Sequence, residues 1–301
     1  MSVNKSRNRA CYRVFAYRAR RCARENFSSS GRDAFPVSVS SSRFSRFAST
    51  FESSREAANS LFALLFPDLC RVCNQPLESF TAVPVCDACL RSIRPYEGLE
   101  CGRCGLFLEG PAPLHGSALC GLCRRGAFVF DEARSFGRYE GVLQAVIQRF
   151  KYDGFRPLAR PLAAALLAAM RRLQPKAWDG IVPVPLHRNR QRERGFNQAA
   201  LLAARFSRLC GIPMEPEDCV RVRDTRPQTG LRATQRRNNV AGAFHVPVPQ
   251  RVQRRRLLLV DDVLTTGATV NACAQALLEA GAEGVWVVTL ARAHPARADV
   301  L

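Results

Sequence analysis

The chain has 301 residues, of which 47% are apolar and 23% are charged, so most of it is predicted to be globular rather than disordered or fibrous. The 45 lysines and arginines outnumber the 25 acidic residues by 20, which favours polyanions such as nucleic acid, anionic lipid or a phosphorylated substrate as partners. No run of 18 uninterrupted apolar residues occurs, so no membrane span is predicted.

Residues 1–55 are predicted to be a disordered basic extension. They carry 12 basic and 3 acidic side chains, are rich in Arg and Ser, and show no clear periodicity. Three interpretations compete: an organelle-targeting segment, a basic arm that binds nucleic acid, and a translation start assigned too far upstream. We favour the third, because the first residues of any motif begin only near Leu61.

The thirteen cysteines are interpreted first as metal ligands. Arginines interrupt every apolar stretch near the N-terminus, so no secretory signal is predicted and a cytoplasmic location is expected. Thiols stay reduced in that compartment, whereas a disulfide scaffold requires an oxidising one.

Residues 61–125 are predicted to form a small double zinc-ribbon domain. Eight cysteines stand in four C-x-x-C pairs, and two intervening residues allow both thiolates of a pair to bind one ion. Sequential pairing gives two four-cysteine sites, and interleaved pairing is the less favoured alternative. About two Zn²⁺ ions with a structural role are expected, since four protein sulfurs leave no open coordination position. The predicted ligands are Cys70, Cys73, Cys86, Cys89, Cys101, Cys104, Cys120 and Cys123.

Residues 126–301 are predicted to be an α/β domain. Apolar spacing and Gly, Pro and Asn signals give a strand pair at 128–139, helices at 141–150 and 158–173, and a short strand at 181–184. A helix follows at 197–210, and a strand, helix and strand at 257–260, 269–280 and 285–290. This order predicts a parallel sheet with right-handed crossovers.

The most informative segment is 257–269, where an apolar strand leads into two acidic residues and a Thr/Gly-rich loop. Asp261 and Asp262 come at the carboxyl end of the strand, where open α/β sheets bind ligands. A loop at a helix N-terminus offers backbone N–H groups and a favourable dipole to a phosphate. The carboxylates beside it can accept hydrogen bonds from a vicinal diol, so a ribose 5-phosphate fits. The predicted phosphate-binding residues are Thr265, Thr266, Gly267, Ala268 and Thr269.

This segment resembles the phosphoribosyl pyrophosphate signature of the type I phosphoribosyltransferases, and it lacks the Gly-Lys-[Ser/Thr] ending of a Walker A loop. Segments 181–198 and 224–240 resemble hallmark blocks of the ComF family, which includes ComFC-like and GntX-like proteins. The resemblance covers about residues 61–293 and includes the N-terminal double zinc ribbon.

The resemblance implies a type I phosphoribosyltransferase fold over residues 126–301. It implies phosphoribosyl pyrophosphate as ligand, Mg²⁺ bound with that ligand, and a link to the uptake of single-stranded DNA and to competence helicase machinery. Asp261 and Asp262 would be the catalytic pair that holds the ribose hydroxyls. An arginine cluster follows strand 181–184, and the guanidinium fork suits phosphate oxygens. The expected pyrophosphate-binding residues are Arg188, Arg190, Arg192 and Arg194.

Two functions agree with these residues. In the first, the protein is an enzyme that transfers phosphoribose to a nitrogen nucleophile and releases pyrophosphate. In the second, it is a non-enzymatic binder of single-stranded DNA in transformation, with phosphoribosyl pyrophosphate as a regulatory ligand. The carboxylate-and-loop pattern favours the first, because a DNA-binding protein does not need it.

Overall fold

The computed structural model describes residues 68–77, 82–110, 118–174, 177–225 and 233–294. The chain forms two compact units, Met1–Cys70 with Asn74–Pro84, and Arg71–Cys73 with Val85–Leu301. The predicted extension at 1–55 lies outside the described residues, and the predicted division at 61–125 and 126–301 stays a prediction. Within the described part of the chain, no helix has both the length and the apolar character needed to cross a membrane.

In the first unit the chain reverses direction at Asn74. The Asn74 N–H donates to the Cys70 carbonyl at 2.9 Å, and a φ of 59° at Asn74 completes the turn. Asparagine tolerates this left-handed conformation better than most side chains do. An antiparallel bridge between Leu69 and Pro76 closes the reversal.

The second unit contains a four-stranded sheet in which all strands are parallel and the order is β1-β6-β5-β2. A two-stranded antiparallel sheet pairs β3 with β4. The strands are β1 (Glu132–Arg138), β2 (Gly180–Pro183), β3 (Val220–Arg221), β4 (Phe244–His245), β5 (Arg256–Leu264) and β6 (Gly284–Arg292). Since β6 is buried along its whole length, it is a central strand with both faces covered.

Helices cover the sheet and connect its strands. Helices α4 (Ala159–Met170) and α6 (Gln198–Cys210) pack on the strands, and α8 (Ala268–Glu279) packs against β4 and α7 (Ala233–Val240) as well as against β5 and β6. The helices are α1 (Asp87–Ser92), α2 (Gly121–Arg124), α3 (Gly141–Tyr152), α4 (Ala159–Met170), α5 (Arg188–Arg194), α6 (Gln198–Cys210), α7 (Ala233–Val240) and α8 (Ala268–Glu279). Short 3₁₀ turns occur at Arg156–Leu158 and Pro249–Arg251. The predicted parallel α/β fold is confirmed.

The predicted strand pair at 128–139 is wrong, since only β1 forms there. The carbonyls of two residues before β1 accept from a side chain instead of from a second strand of this segment. Arg103 donates from Nη2 to the Phe128 carbonyl at 2.8 Å and from Nε to the Phe130 carbonyl at 3.2 Å. The sequence therefore predicted one strand of this segment correctly, but it could not show which group bonds to the residues before that strand.

Strand β5 is longer than the predicted 257–260. It continues to Leu264 because β6 runs alongside it, and the last pair between the two strands is Leu264 with Arg292. The acidic residues Asp261 and Asp262 consequently lie near the end of the strand rather than after it.

The turn from β5 into α8 is tightly packed. Gly267 is the N-cap of α8 with a φ of 81°, a left-handed conformation that favours glycine. A Cβ placed there would lie 2.6 Å from Cε1 of Phe128. Phe128 cannot move away freely, because it is buried and its ring stacks on Phe130 with centroids 5.0 Å apart.

We predict that Gly267→Ala lowers the free energy of unfolding more than Gly211→Ala does. Both glycines have positive φ, 81° and 76°, but Gly211 has nothing within 4 Å of an added Cβ. The control should cost about 1 kcal/mol for the backbone conformation, and Gly267→Ala a further ~1–3 kcal/mol for overpacking against Phe128. Urea unfolding of both variants measures the difference, and equal losses would contradict the described packing.

Candidate functional site

The acidic pair stands at the carboxyl edge of the sheet, as predicted. Asp262 is buried and Asp261 is half-buried. The Asp262 N–H donates to Oδ1 of Asp261 at 2.8 Å, which fixes the first carboxylate relative to the strand. Successive residues of a strand point to opposite faces, so the two carboxylates reach different sides of the sheet edge.

A lysine that the sequence analysis did not single out completes this group. Lys151 lies at the end of α3, and its Nζ is 2.9 Å from Oδ1 of Asp262. One signal pointed to it: the chain has only three lysines among its 45 basic residues, so lysine is the exception wherever it occurs. Nearby, the buried Gln198 donates to the Lys151 carbonyl at 3.4 Å.

Burial and mutual repulsion control the charges of this group. Burial raises the pKa of Asp261 most, and repulsion by the neighbouring Asp262 carboxylate raises it further, so that it reaches about 7. Burial opposes the charge of Lys151, but the carboxylates of Asp262 and Asp261 outweigh it and raise the pKa of the ammonium above its ordinary value. Near neutral pH the group therefore holds one firm ion pair, Lys151 with Asp262, and one carboxyl poised to gain or lose a proton.

The predicted phosphate loop directly follows this pair. Thr265, Thr266 and Thr269 are half-buried, whereas Gly267 and Ala268 are buried. The Ala268 N–H, the first of α8, donates to Oγ1 of Thr266 at 3.4 Å. The first N–H groups of an α-helix have no acceptor within the helix, which makes this end suitable for an anion. The phosphate-binding role of the loop stays a prediction.

The four predicted pyrophosphate-binding arginines all lie on α5, but the helix divides them. Arg188 and Arg192 are exposed. Arg190 donates from Nη2 to the Thr225 carbonyl at 2.7 Å, and Arg194 lies over the ring of Tyr152 with its Cζ 5.2 Å from the centroid. Residues four apart share a helix face, so 188 with 192 and 190 with 194 form two separate pairs.

Two polar residues next to α5 serve as helix caps. Nδ1 of His187 accepts from the Asn189 N–H at 3.4 Å and also lies 3.4 Å from a carboxylate oxygen of Asp224. Asn197 caps α6 by accepting from the Ala200 N–H at 3.3 Å. These contacts agree with structural roles for both side chains.

Two cysteine groups have the geometry of metal sites. The ligand atoms within each group all lie within 4.8 Å of one another, and the grouping is sequential rather than interleaved. The sulfurs of Cys73 and Cys86 are 3.7 Å apart, and those of Cys104 and Cys120 are 3.6 Å apart. A tetrahedral zinc with bonds of about 2.3 Å requires sulfur separations of about 3.8 Å. The first cluster is Cys70, Cys73, Cys86 and Cys89, and the second cluster is Cys101, Cys104, Cys120 and Cys123.

The two clusters differ in exposure. The first cluster includes the exposed Cys73, whereas all four residues of the second cluster are buried. The residues fit a structural Zn²⁺ in both places, because four thiolates fill the tetrahedron and leave no position for a substrate.

We predict that Asp261→Asn stabilises the protein more at pH 8 than at pH 5, relative to the wild type. The pKa of Asp261 is raised to about 7, so the folded protein holds a proton that the unfolded chain releases near pH 4. The free energy of unfolding contributed by this group therefore falls as pH rises from about 4 to 7. Asparagine has no such titration. Thermal unfolding at both pH values and constant ionic strength measures the difference, and a pH-independent effect would contradict the burial of this charge.

Known proteins resemble this chain in sequence. A family profile described as Phosphoribosyl transferase domain matches residues 194–300. Competence protein F of Haemophilus influenzae is 38% identical over 214 residues, which cover 69% of this chain and 90% of that protein. DNA utilization protein YhgH of Salmonella typhimurium is 35% identical over 233 residues, which cover 76% and 99%. Competence protein ComFC of Bacillus subtilis is 28% identical over 212 residues, which cover 65% and 79%.

The similarity to competence protein F extends over nearly all of that protein, and the domain match contains β5, the loop and α8. The parallel sheet thus has a phosphoribosyltransferase fold, and it is preceded by two four-cysteine clusters. The chain belongs to the ComF family.

Proposed function

We propose that the protein binds phosphoribosyl pyrophosphate at the carboxyl edge of the sheet and transfers its phosphoribosyl group to a nitrogen nucleophile. The observation that carries the proposal is the continuity of β5, the acidic pair and the loop. Asp261 and Asp262 lie two to three residues before Leu264, and the loop at 265–269 begins α8. A ribose with its 5-phosphate in the loop would place its hydroxyls beside the carboxylates.

In this reaction the bond between ribose C1 and pyrophosphate breaks, and a bond from C1 to the acceptor nitrogen forms. Pyrophosphate leaves with the bonding electrons, and the acceptor gives up a proton. The chain would orient the ribose and exclude water rather than attack the sugar. Mg²⁺, bound mainly through the oxygens of the substrate, would neutralise the leaving group.

Basic side chains around the acidic pair would contact the pyrophosphate. Arg188 and Arg192 are exposed on α5, which follows β2 at the same edge of the sheet as Asp262. Lys151 already supplies a cation, with its Nζ 2.9 Å from Oδ1 of Asp262. Arg190 and Arg194 would have to leave the Thr225 carbonyl and the Tyr152 ring to take part.

Turnover is tested by offering the purified protein phosphoribosyl pyrophosphate, Mg²⁺ and a series of nitrogen acceptors, and measuring pyrophosphate release. Release that depends on both the acceptor and the acidic pair supports the enzyme. If the donor binds but no acceptor causes pyrophosphate release, a regulatory role for phosphoribosyl pyrophosphate is favoured.

We predict that Asp261→Asn weakens binding of phosphoribosyl pyrophosphate about tenfold, and that removing both carboxylates weakens it about tenfold to a thousandfold. Charge-assisted hydrogen bonds to ribose hydroxyls become neutral ones, at a loss of about 1–2 kcal/mol each. Asp262→Asn alone would leave the Lys151 ammonium buried without its partner, so the double variant is made together with Lys151→Met, and its affinity for inorganic pyrophosphate shows how much of the loss is due to Lys151. Calorimetry measures the affinities.

Two controls accompany this prediction. Asp179→Asn removes an aspartate that accepts from the Arg256 N–H at 2.8 Å, at the amino edge of the same sheet, and should leave affinity unchanged. Inorganic pyrophosphate lacks the ribose and should lose less affinity than the donor. Equal binding of the donor by wild type and variants would mean that the carboxylates do not contact the ribose.

A second candidate function is binding of single-stranded DNA, to which the names of the relatives connect the family. A specific observation favours it: arginines stack on aromatic rings at the ends of α3 and α5. Tyr152 is 64% exposed with Arg194 over its ring, and Arg156 lies over Phe196 at 5.0 Å. Exposed aromatic and guanidinium planes are the groups on which bases stack. The link to competence helicase machinery that the family resemblance implies stays a prediction.

We predict that Tyr152→Ala weakens binding of a single-stranded oligonucleotide about fivefold to a hundredfold, which is the loss of about 1–3 kcal/mol of stacking. Tyr152→Phe keeps the ring and should bind like the wild type. Fluorescence anisotropy at two salt concentrations measures affinity, which should fall with salt if arginine–phosphate contacts dominate. Equal affinity of the Ala and Phe variants would exclude this ring as a stacking platform.

A further inference from the structure

One arginine is buried beside the second cluster. Arg292, the last residue of β6, is only 2% exposed. Its Nη2 donates to Sγ of Cys104 at 3.9 Å. Its Nε and Nη1 have no hydrogen-bond partner among the described residues.

A buried guanidinium that faces neutral thiols is unfavourable. Removing a cation from water costs several kcal/mol unless an opposite charge compensates it. Four neutral cysteines offer no such charge, whereas four thiolates around one Zn²⁺ carry a net charge of −2. The arrangement is therefore favourable only when the second cluster is deprotonated and holds a metal.

We propose that Arg292 is the counter-cation of the metal–thiolate centre formed by the second cluster, and that it stabilises the bound metal by donating hydrogen bonds to the ligand sulfurs. It acts as a positioning residue, since it touches the ligands and not the metal. Outer hydrogen bonds of this kind set the affinity of metal sites by factors of about 10 to 100.

The position of Arg292 connects this centre to the sheet. Arg292 pairs in register with Leu264 of β5 and with Arg138 of β1. Leu264 is the last residue of β5, directly before the loop at 265–269, and its carbonyl accepts from the Ala293 N–H at 3.0 Å. Loss of the metal would thus leave an uncompensated charge at the end of β6, in register with the residue of β5 that precedes the loop.

The test is zinc release from the full chain. Arg292→Met keeps an unbranched apolar side chain and removes the charge, and Arg292→Lys keeps the charge. Release to a chelating dye should occur in two phases, and Cys86→Ser assigns them by removing the first cluster. We expect Arg292→Met to release zinc from the second cluster about tenfold faster, with the first cluster unchanged, and Arg292→Lys to stay close to the wild type.

Arg124→Met is the matched control. Arg124 directly follows the ligand Cys123, but it is exposed and donates to the Leu119 carbonyl at 2.9 Å. Its loss removes one positive charge near the second cluster without removing a buried one. Zinc release in this variant should match the wild type. An effect as large as that of Arg292→Met would mean that any positive charge near the second cluster slows zinc release, and it would overturn the specific role of Arg292.

A second measurement separates charge from packing. With zinc bound, the wild type should have a higher melting temperature than Arg292→Met. After zinc is removed under reducing conditions, the order should reverse, because only the wild type then buries an uncompensated cation. A variant that merely packs badly would be less stable in both states, and that result would overturn the proposal. Equal zinc release in wild type and Arg292→Met, or release from Arg292→Lys as fast as from Arg292→Met, would also overturn it.

Discussion

The parallel pairing of β5 with β6 is the constraint on which the proposed site depends. The two strands stay in register from Arg256 and Gly284 to Leu264 and Arg292. This pairing holds Asp261 and Asp262 in extended backbone up to the point where the chain enters the loop. Helix α8 then returns the chain to the start of β6, so the same connection fixes both the acidic pair and the helix N-terminus beside it.

Local patterns revealed the centre of this arrangement but not its surroundings. An apolar strand, two acidic residues, a Thr/Gly loop and a helix follow one another within thirteen residues, so the sequence predicts their proximity directly. Lys151 lies 111 positions before Asp262, and a basic residue at the end of a helix is usual on account of the helix dipole. Its role became visible only once the fold had brought α3 to the edge of the sheet.

For the arginines of α5, the sequence showed which residues are charged but not the directions in which their side chains point. Segment 188–194 looks like one basic patch when it is written as a line, but as helix α5 it turns its side chains in different directions. Arg190 and Arg194 satisfy a carbonyl and an aromatic ring, while Arg188 and Arg192 face solvent. The number of charges was predictable from the sequence. Their distribution over the helix faces required the start and end of the helix, which His187 and Gly195 set as N-cap and C-cap.

The edge position of β1 has a consequence for the synthesis of the chain. Ser135 of β1 bonds to Thr289 of β6 through their side-chain oxygens at 2.7 Å, across 154 positions of sequence. A ribosome therefore releases β1 and α3 long before the strand that completes their sheet exists, and sheets with such distant partners form slowly. The cysteines at 101–123, by contrast, are close in sequence and can gather around a metal while translation continues. The second cluster can therefore form before β6, the strand that completes the sheet with β1, has been synthesised.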